Sequence, residues 1–120
     1  MKRKILIIED NEQNMYMLTY LLESNNYEVL QSFSGPEGIA CAKKTTPDII
    51  LLDIQLPEMD GYSVARELRK NIELTGTPII AVTSYAMTGD KEKAFEAGAT
   101  GYIEKPIDPD TFISQMEVFI

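Results

Sequence analysis

Four apolar runs of this chain each end next to a side chain that can hold phosphate or a divalent cation. Short, solidly apolar runs are typical of parallel strands that are covered on both faces of a sheet. Because the carboxyl ends of parallel strands share one edge, we expect the residues after these runs to lie close together. The runs are Ile5–Ile8 before Glu9-Asp10, Ile49–Leu52 before Asp53, Ile79–Val82 before Thr83, and Gly101–Glu104 before Lys105.

Strand-like and helix-like segments alternate along the whole chain. This alternation predicts a doubly wound α/β fold, with a five-stranded parallel sheet as the middle layer of a three-layer sandwich. The expected strand order is 2-1-3-4-5, as in flavodoxin-like (βα)5 folds. The predicted strands are Lys4–Ile8, Tyr27–Ser32, Asp48–Asp53, a strand opening at Thr77-Pro78, and Gly101–Glu104. The predicted helices are Glu12–Asn25, Pro36–Thr45, Gly61–Asn71, Thr88–Ala97 and Pro109–Phe119.

Residue types at the helix ends support these boundaries. Asn11 and Asp108 precede the first and last helices and are predicted N-caps. Gly98 follows the fourth helix and is predicted to end it in the left-handed conformation.

The first helix carries more apolar residues than one core face needs. We expect Met17, Leu18 and Leu21 to face the core, with Met15 and Leu22 at the sides. Tyr16 and Tyr20 are then predicted to lie outside, adjacent to each other and available as a docking surface for a partner.

Length and charge narrow the class of protein. The 120 residues fit one domain, residues 1–120, and the net charge of −8 argues against direct binding to nucleic acid or to an anionic membrane. With no histidine, the chain lacks a Ser-His-Asp triad, and any phosphohistidine must belong to a partner. The first apolar run is too short for a signal peptide, which predicts a cytoplasmic location.

The expected cluster of acids suits phosphoryl chemistry. Two carboxylates about 4 Å apart repel by about 4 kcal/mol at an effective dielectric near 20, so they need positive charge. Lys105 supplies one charge and Mg²⁺ supplies two, with Mn²⁺ as the alternative ion. Asp53, at the tip of the central strand, is the predicted phosphoacceptor. Asp10, together with Glu9, holds the metal, while Thr83 and Lys105 bind the phosphoryl oxygens.

Five segments of the chain together resemble one known family. They are Ile8–Asn11, Leu52–Gly61, Val82–Ala86, Gly98-Ala99 and Lys105-Pro106. Through them the chain resembles response-regulator receiver domains over its whole length, and it is especially similar to DivK-type single-domain receivers. The resemblance implies phosphotransfer from a partner phosphohistidine to Asp53 with Mg²⁺, which makes the chain a signalling phosphoacceptor and not an enzyme. It also implies a metal ligand from the Gln55 backbone carbonyl and a cis Lys105-Pro106 bond.

The same resemblance implies how the signal leaves the site. Phosphate at Asp53 moves Thr83 and the following loop, Ser84–Met87, and an aromatic residue on the fifth strand, here Tyr102, turns inward. The output face is then helix 4, strand 5 and helix 5, including Met87, Tyr102 and Phe112, where a downstream protein binds. The donor is a sensor histidine kinase or a histidine phosphotransfer protein.

Three other functions compete with this interpretation. An aspartyl-phosphate phosphatase needs a second acid two residues after the nucleophile, where this chain has Gln55. A nucleotide or flavin module needs a glycine-rich phosphate loop after the first strand, and Glu9–Glu12 stands there instead. The third is a receiver module cut from a larger response regulator or hybrid kinase, which the apolar end Phe119-Ile120 slightly favours.

Overall fold

A computed structural model describes residues 2–84 and 89–120, and its centre is one five-stranded sheet. The strands are β1 (Lys4–Ile8), β2 (Glu28–Ser32), β3 (Ile49–Asp53), β4 (Ile79–Thr83) and β5 (Gly101–Glu104). They lie in the order β2-β1-β3-β4-β5, and every neighbouring pair is parallel. The predicted doubly wound α/β fold is therefore confirmed.

Helices connect the strands and cover both faces of the sheet. They are α1 (Glu12–Ser24), α2 (Gly35–Thr45), α3 (Gly61–Arg69), α4 (Asp90–Ala97) and α5 (Phe112–Glu117), with a 3-10 turn at Ile72–Leu74. Side chains of α1 and α5 pack on one face, and those of α2 and α3 pack on the other. None of the helices within residues 2–84 and 89–120 is long and apolar enough to cross a membrane.

The two covered faces explain why the strand sequences are solidly apolar. Successive side chains of a strand point to opposite faces. Ile5 and Ile7 of β1 belong to the core under α1 and α5, whereas Leu6 and Ile8 belong to the core under α2 and α3. All four side chains are at most 1% exposed, so each contributes about 1.5–3 kcal/mol by leaving water.

Two predicted helix ends are confirmed. The Asn11 side chain accepts a hydrogen bond from the Asn14 N–H at 2.9 Å and so caps α1. Gly98 ends α4 with a φ of 117°, a left-handed conformation that glycine adopts without strain.

The last helix is shorter than predicted, and its predicted cap was wrong. The helix α5 begins at Phe112, and its N-cap is Thr111, whose side chain makes no capping hydrogen bond. Asp108 instead accepts a hydrogen bond from the Asp110 N–H at 3.0 Å. An aspartate that bonds the backbone two residues on closes a local turn, which competes with helix initiation.

Other helix boundaries also differ from the prediction. The helix α3 ends at Arg69, and the Asn71 side chain accepts from the Glu73 N–H to begin the 3-10 turn. The described part of α4 begins at Asp90, so the predicted start at Thr88 lies outside the described residues.

The rotation of α1 about its axis also differs from the prediction. Its buried residues are Met15, Leu18 and Leu22. Two residues expected inside, Met17 and Leu21, are half-buried, and Met15 and Leu22 take their place. The apolar stripe of α1 is wider than the face that becomes buried, so the sequence does not determine which apolar residues face the core. Packing of α1 against the sheet determines it. Tyr16 and Tyr20 are 74% and 64% exposed, as predicted.

Gly61 holds the start of α3 against the end of β3. A Cβ atom on Gly61 would lie 2.5 Å from the Ile54 Cα and 2.7 Å from the Asp53 carbonyl oxygen. The Gly61 N–H also donates to the Ile54 carbonyl at 2.9 Å. Glycine is therefore required by the close approach of two backbone segments, and this contact fixes the loop that follows Asp53.

We expect Gly61→Ala to lower the free energy of unfolding by about 2 kcal/mol, because the added methyl group meets backbone atoms that cannot give way. Gly76→Ala is the matched control, since a Cβ there would meet nothing within 4 Å. Urea denaturation of both variants measures the difference. Equal effects of the two substitutions would show that the contact at Gly61 is not tight.

Candidate functional site

The polar residues that follow the strands meet at the carboxyl edge of the sheet. The parallel register sets Ile8 beside Leu52 and Asp53 beside Val82, so the strands end at nearly the same level. The structure thereby brings most of the predicted site residues close together. The residues at this edge are Glu9, Asp10, Asp53, Thr83 and Lys105.

Three carboxylates form the centre of the site. Glu9, Asp10 and Asp53 each have a carboxylate oxygen within 4.8 Å of the other two. Glu9 and Asp53 are 2% and 4% exposed, and Asp10 is exposed. Water therefore screens the repulsion between Glu9 and Asp53 poorly, and the cluster requires positive charge to be stable.

Lys105 provides one such charge. Its Nζ lies 3.0 Å from Glu9 Oε1 and 3.4 Å from Asp53 Oδ2. Burial acts to lower the pKa of Lys105. The hydrogen bond to Glu9 and the charges of Asp53 and Glu9 outweigh burial, so the pKa of Lys105 is raised above its usual value. The ammonium thus stays charged and bridges the two buried acids. The Lys105-Pro106 peptide bond is cis, as the resemblance implied.

The pKa of Glu9 reflects its burial and the nearby negative charge. Burial raises the pKa of Glu9 to about 7, and its hydrogen bond to Asp53 and the charge of Asp53 add to this. The hydrogen bonds from Lys105 and from the Asn11 N–H act in the opposite direction. The effect of burial and of Asp53 on the pKa of Glu9 is therefore larger than the opposing effect of Lys105.

This donor set fits a small, hard divalent cation. Magnesium takes oxygen ligands and commonly uses one or two carboxylates, with water and phosphate oxygens completing its shell. Glu9, Asp10 and Asp53 supply the carboxylates. The open side at the exposed Asp10 leaves room for further oxygen ligands. The Gln55 N–H donates to Asp53 Oδ1 at 3.0 Å and so places this loop at the cluster.

The Gln55 side chain has contacts that the sequence did not predict. Its Nε2 donates to Thr83 Oγ1 at 3.1 Å, and its Oε1 accepts from the Ser84 N–H at 3.2 Å and from Ser84 Oγ at 2.9 Å. The sequence signal for them is weak, because an amide two residues after a strand has many partners within reach. Only the parallel placement of β3 beside β4 selects these ones.

The structure corrects the predicted output face at one residue. Tyr102 is half-buried and packs with Tyr62 on a cluster of small side chains beside α4. Burial, followed by the charges of Asp90 and Glu104, raises the pKa of Tyr102. Phe112, expected on the surface of α5, is 1% exposed and belongs to the core. Met87 and most of the loop predicted to move, residues 85–87, lie outside the described residues.

Comparison with known proteins identifies the type of site. The sequence model of the response regulator receiver domain matches residues 5–117. The polar-differentiation response regulator DivK of Brucella ovis is 41% identical over 120 residues, which span all of this chain and 98% of that relative.

Solved structures of the same kind superpose closely on this fold. The chemotaxis protein CheY4 of Vibrio cholerae has a TM-score of 0.96 and 28% identity, with both chains fully covered. The receiver domain of the sensor histidine kinase PA1611 of Pseudomonas aeruginosa has a TM-score of 0.90 and 33% identity, covering 99% of this chain and 98% of that one. That structure contains a magnesium ion in its active site cleft, and the carboxylate cluster described above is consistent with such a site.

We expect the raised pKa of Glu9 to make the protein less stable as pH rises when divalent cations are removed with EDTA. Between roughly pH 4.5 and pH 7 the folded state keeps a proton on Glu9 that the unfolded state has released. Stability therefore falls across this window, by on the order of 3 kcal/mol for this one group.

Glu9→Gln removes the titrating group, so the difference in unfolding free energy between the wild type and this variant isolates it. Urea denaturation in EDTA from pH 5 to pH 8 provides the measurement. A difference that stays constant over this range would contradict the assigned pKa.

Proposed function

The chain belongs to the response regulator receiver domain family, and on that premise we propose that residues 1–120 form one receiver domain that accepts a phosphoryl group on Asp53. As a receiver, the chain is a phosphoacceptor of two-component signalling and not a classical enzyme. The observation that carries the choice of Asp53 is its position. It is buried at the end of the central strand, beside the Lys105 ammonium and within 4.8 Å of two further carboxylates.

The transfer consists of one displacement at phosphorus. An Asp53 carboxylate oxygen attacks the phosphoryl group of a partner phosphohistidine, the new O–P bond forms, and the N–P bond breaks. The imidazole leaves with its electron pair and takes a proton from solvent. Positioning and charge neutralisation account for most of the catalysis of such transfers. Here Lys105 neutralises part of the charge, and Thr83 donates a hydrogen bond to a phosphoryl oxygen.

Metal binding supports the same step. We assign Glu9, Asp10 and Asp53 as carboxylate ligands of Mg²⁺, with the Gln55 backbone carbonyl as a further ligand and Mn²⁺ as the substitute ion. When bound, the ion supplies the positive charge that Lys105 does not, both for the carboxylates and for the incoming phosphoryl group.

Phosphorylation then changes a surface. Thr83 and Lys105 bind the phosphoryl oxygens, and the movement of Thr83 shifts the segment between β4 and α4. Tyr102, which lies on β5, turns inward in response. The face formed by α4, β5 and α5 is the proposed binding site for a downstream protein. The segment and the Tyr102 ring each have two states in this proposal, and phosphorylation of Asp53 shifts the equilibrium between them.

The phosphate donor is a sensor histidine kinase or a histidine phosphotransfer protein, and the proposed compartment is the cytoplasm, where such kinases meet ATP. Tyr16 and Tyr20 form an exposed aromatic pair on α1, the helix that begins directly after Glu9-Asp10. We assign this pair to the docking surface for the donor, because it combines large apolar area with a place on the helix that starts next to the site.

The direct test is chemical phosphorylation. The wild type incubated with acetyl phosphate and Mg²⁺ is expected to gain a single phosphoryl group in the intact mass. Asp53→Asn is expected to gain none, because an amide cannot form the acyl phosphate. A parallel sample in EDTA is expected to label at least about tenfold more slowly, since the carboxylates then repel the phosphoryl group. An unlabelled wild type, or an equally labelled Asp53→Asn, would disprove the assignment.

The docking surface has its own prediction. Alanine at both Tyr16 and Tyr20 is expected to slow transfer from a phosphorylated histidine kinase of the same organism by about tenfold or more, as aromatic hot spots contribute roughly 2 kcal/mol. Labelling by acetyl phosphate should be unchanged. Ile72→Ala serves as the control, because this side chain is also exposed, at 84%, but lies in the 3-10 turn before β4. A slower reaction with both donors would rule out docking.

A further inference from the structure

Gln55 connects three groups of the site through one residue. Its backbone N–H donates to Asp53 Oδ1 at 3.0 Å. Its side-chain Nε2 donates to Thr83 Oγ1 at 3.1 Å. Its Oε1 accepts from both the N–H and the hydroxyl of Ser84, at 3.2 Å and 2.9 Å. The proposed phosphoacceptor and the end of β4 are thus joined by a single half-buried residue, through its backbone N–H on one side and its side chain on the other.

The chemistry of the carboxamide matters for these contacts. It offers a donor and an acceptor on one planar group, and this arrangement uses both. A shorter asparagine side chain would not span from the β3 loop to both Thr83 and Ser84. A glutamate could still accept from Ser84, but it has no N–H to donate to Thr83 Oγ1 and would add a fourth carboxylate to the cluster.

The bond from Gln55 Nε2 holds the Thr83 oxygen in its present position, because rotation of the Thr83 side chain would break this hydrogen bond. Thr83 is 2% exposed, so water cannot easily replace the hydrogen bond from Gln55 if the hydroxyl moves. A phosphoryl oxygen is a charged acceptor, and its bond with a hydroxyl is roughly twice as strong as a bond between neutral groups. A phosphoryl group on Asp53 can therefore draw the Thr83 hydroxyl away from the carboxamide, whereas the unphosphorylated site leaves it in place.

We propose that Gln55 is a positioning residue that latches Thr83 and Ser84 in the unphosphorylated arrangement, and that phosphorylation of Asp53 opens this latch. The proposal rests on the proposed function, in which Thr83 binds the phosphoryl group. It adds a resting-state restraint to the switch: the affinity of the site for a phosphoryl group is lowered by the free energy needed to release Gln55. Loss of the latch would then favour the phosphorylated arrangement.

The opposite role for Gln55 predicts the opposite result. If the carboxamide instead positioned Thr83 to bind the phosphoryl group, removal of the carboxamide would weaken the binding of a phosphoryl group at Asp53. Gln55→Met separates the two roles, because methionine keeps the length of the side chain and the backbone N–H but loses all three side-chain hydrogen bonds. Ser84→Ala is a milder variant that loses only the bond from Ser84 Oγ.

The probe is beryllofluoride with Mg²⁺, a phosphoryl analogue whose bound and free forms are distinguished by fluorine NMR. Net hydrogen-bond contributions of about 1 kcal/mol predict that Gln55→Met binds it about fivefold to tenfold more tightly than the wild type, with Ser84→Ala in between. Gln31→Met is the matched control. It removes a similar 3.0 Å bond from a Gln amide to a Thr hydroxyl, but on the edge strand β2, and should leave binding unchanged.

Equal or weaker binding by Gln55→Met would overturn the latch. A wild type that does not bind the probe, or an Asp53→Asn variant that binds it equally, would overturn the proposed function and the latch with it.

Discussion

Glu9 and Asp53 repel each other at the carboxyl edge of the sheet, and the rest of the site is arranged around that repulsion. Both acids are nearly inaccessible to water, which makes their charges expensive to keep. Lys105 lies within 3.4 Å of both and offsets part of the charge. Burial, together with the nearby Asp53, still raises the pKa of Glu9. A cluster in this state is consistent with a magnesium site, and in the proposed function such a site accepts a phosphoryl group.

Such a strained cluster persists only on a scaffold that holds it in place. The apolar strands are packed on both faces, so the strand ends cannot separate to relieve the repulsion. Gly61 holds the loop after Asp53 against β3. The stability of the fold thus maintains an unfavourable charge arrangement, which is the usual relation between a rigid core and a reactive site.

Sequence patterns predicted the features that depend on short-range rules. Solid apolar runs revealed a doubly covered sheet, and Asn11 capped α1 as its residue type suggested. The parallel sheet then placed the acids together. The predictions from sequence patterns were wrong where tertiary packing or competing local hydrogen bonds determine the structure. Asp108 closes a turn in place of a cap, and Met15 replaced Met17 in the core because α1 is apolar on more than one side. The bridge from Gln55 to Thr83 could not be predicted, since it depends on side-chain reach across two strands.

The central claim is that the charged edge of the sheet directs a phosphoryl group to one carboxylate. It is tested most directly by reducing the acetyl phosphate-labelled protein with borohydride, which converts an acyl phosphate on aspartate into homoserine. Peptide mass spectrometry then locates the product. The account predicts homoserine at position 53 alone, and at least about tenfold faster labelling with Mg²⁺ than in EDTA. Homoserine at Asp10, or reduction at position 53 that is equally strong after labelling in EDTA, would contradict it.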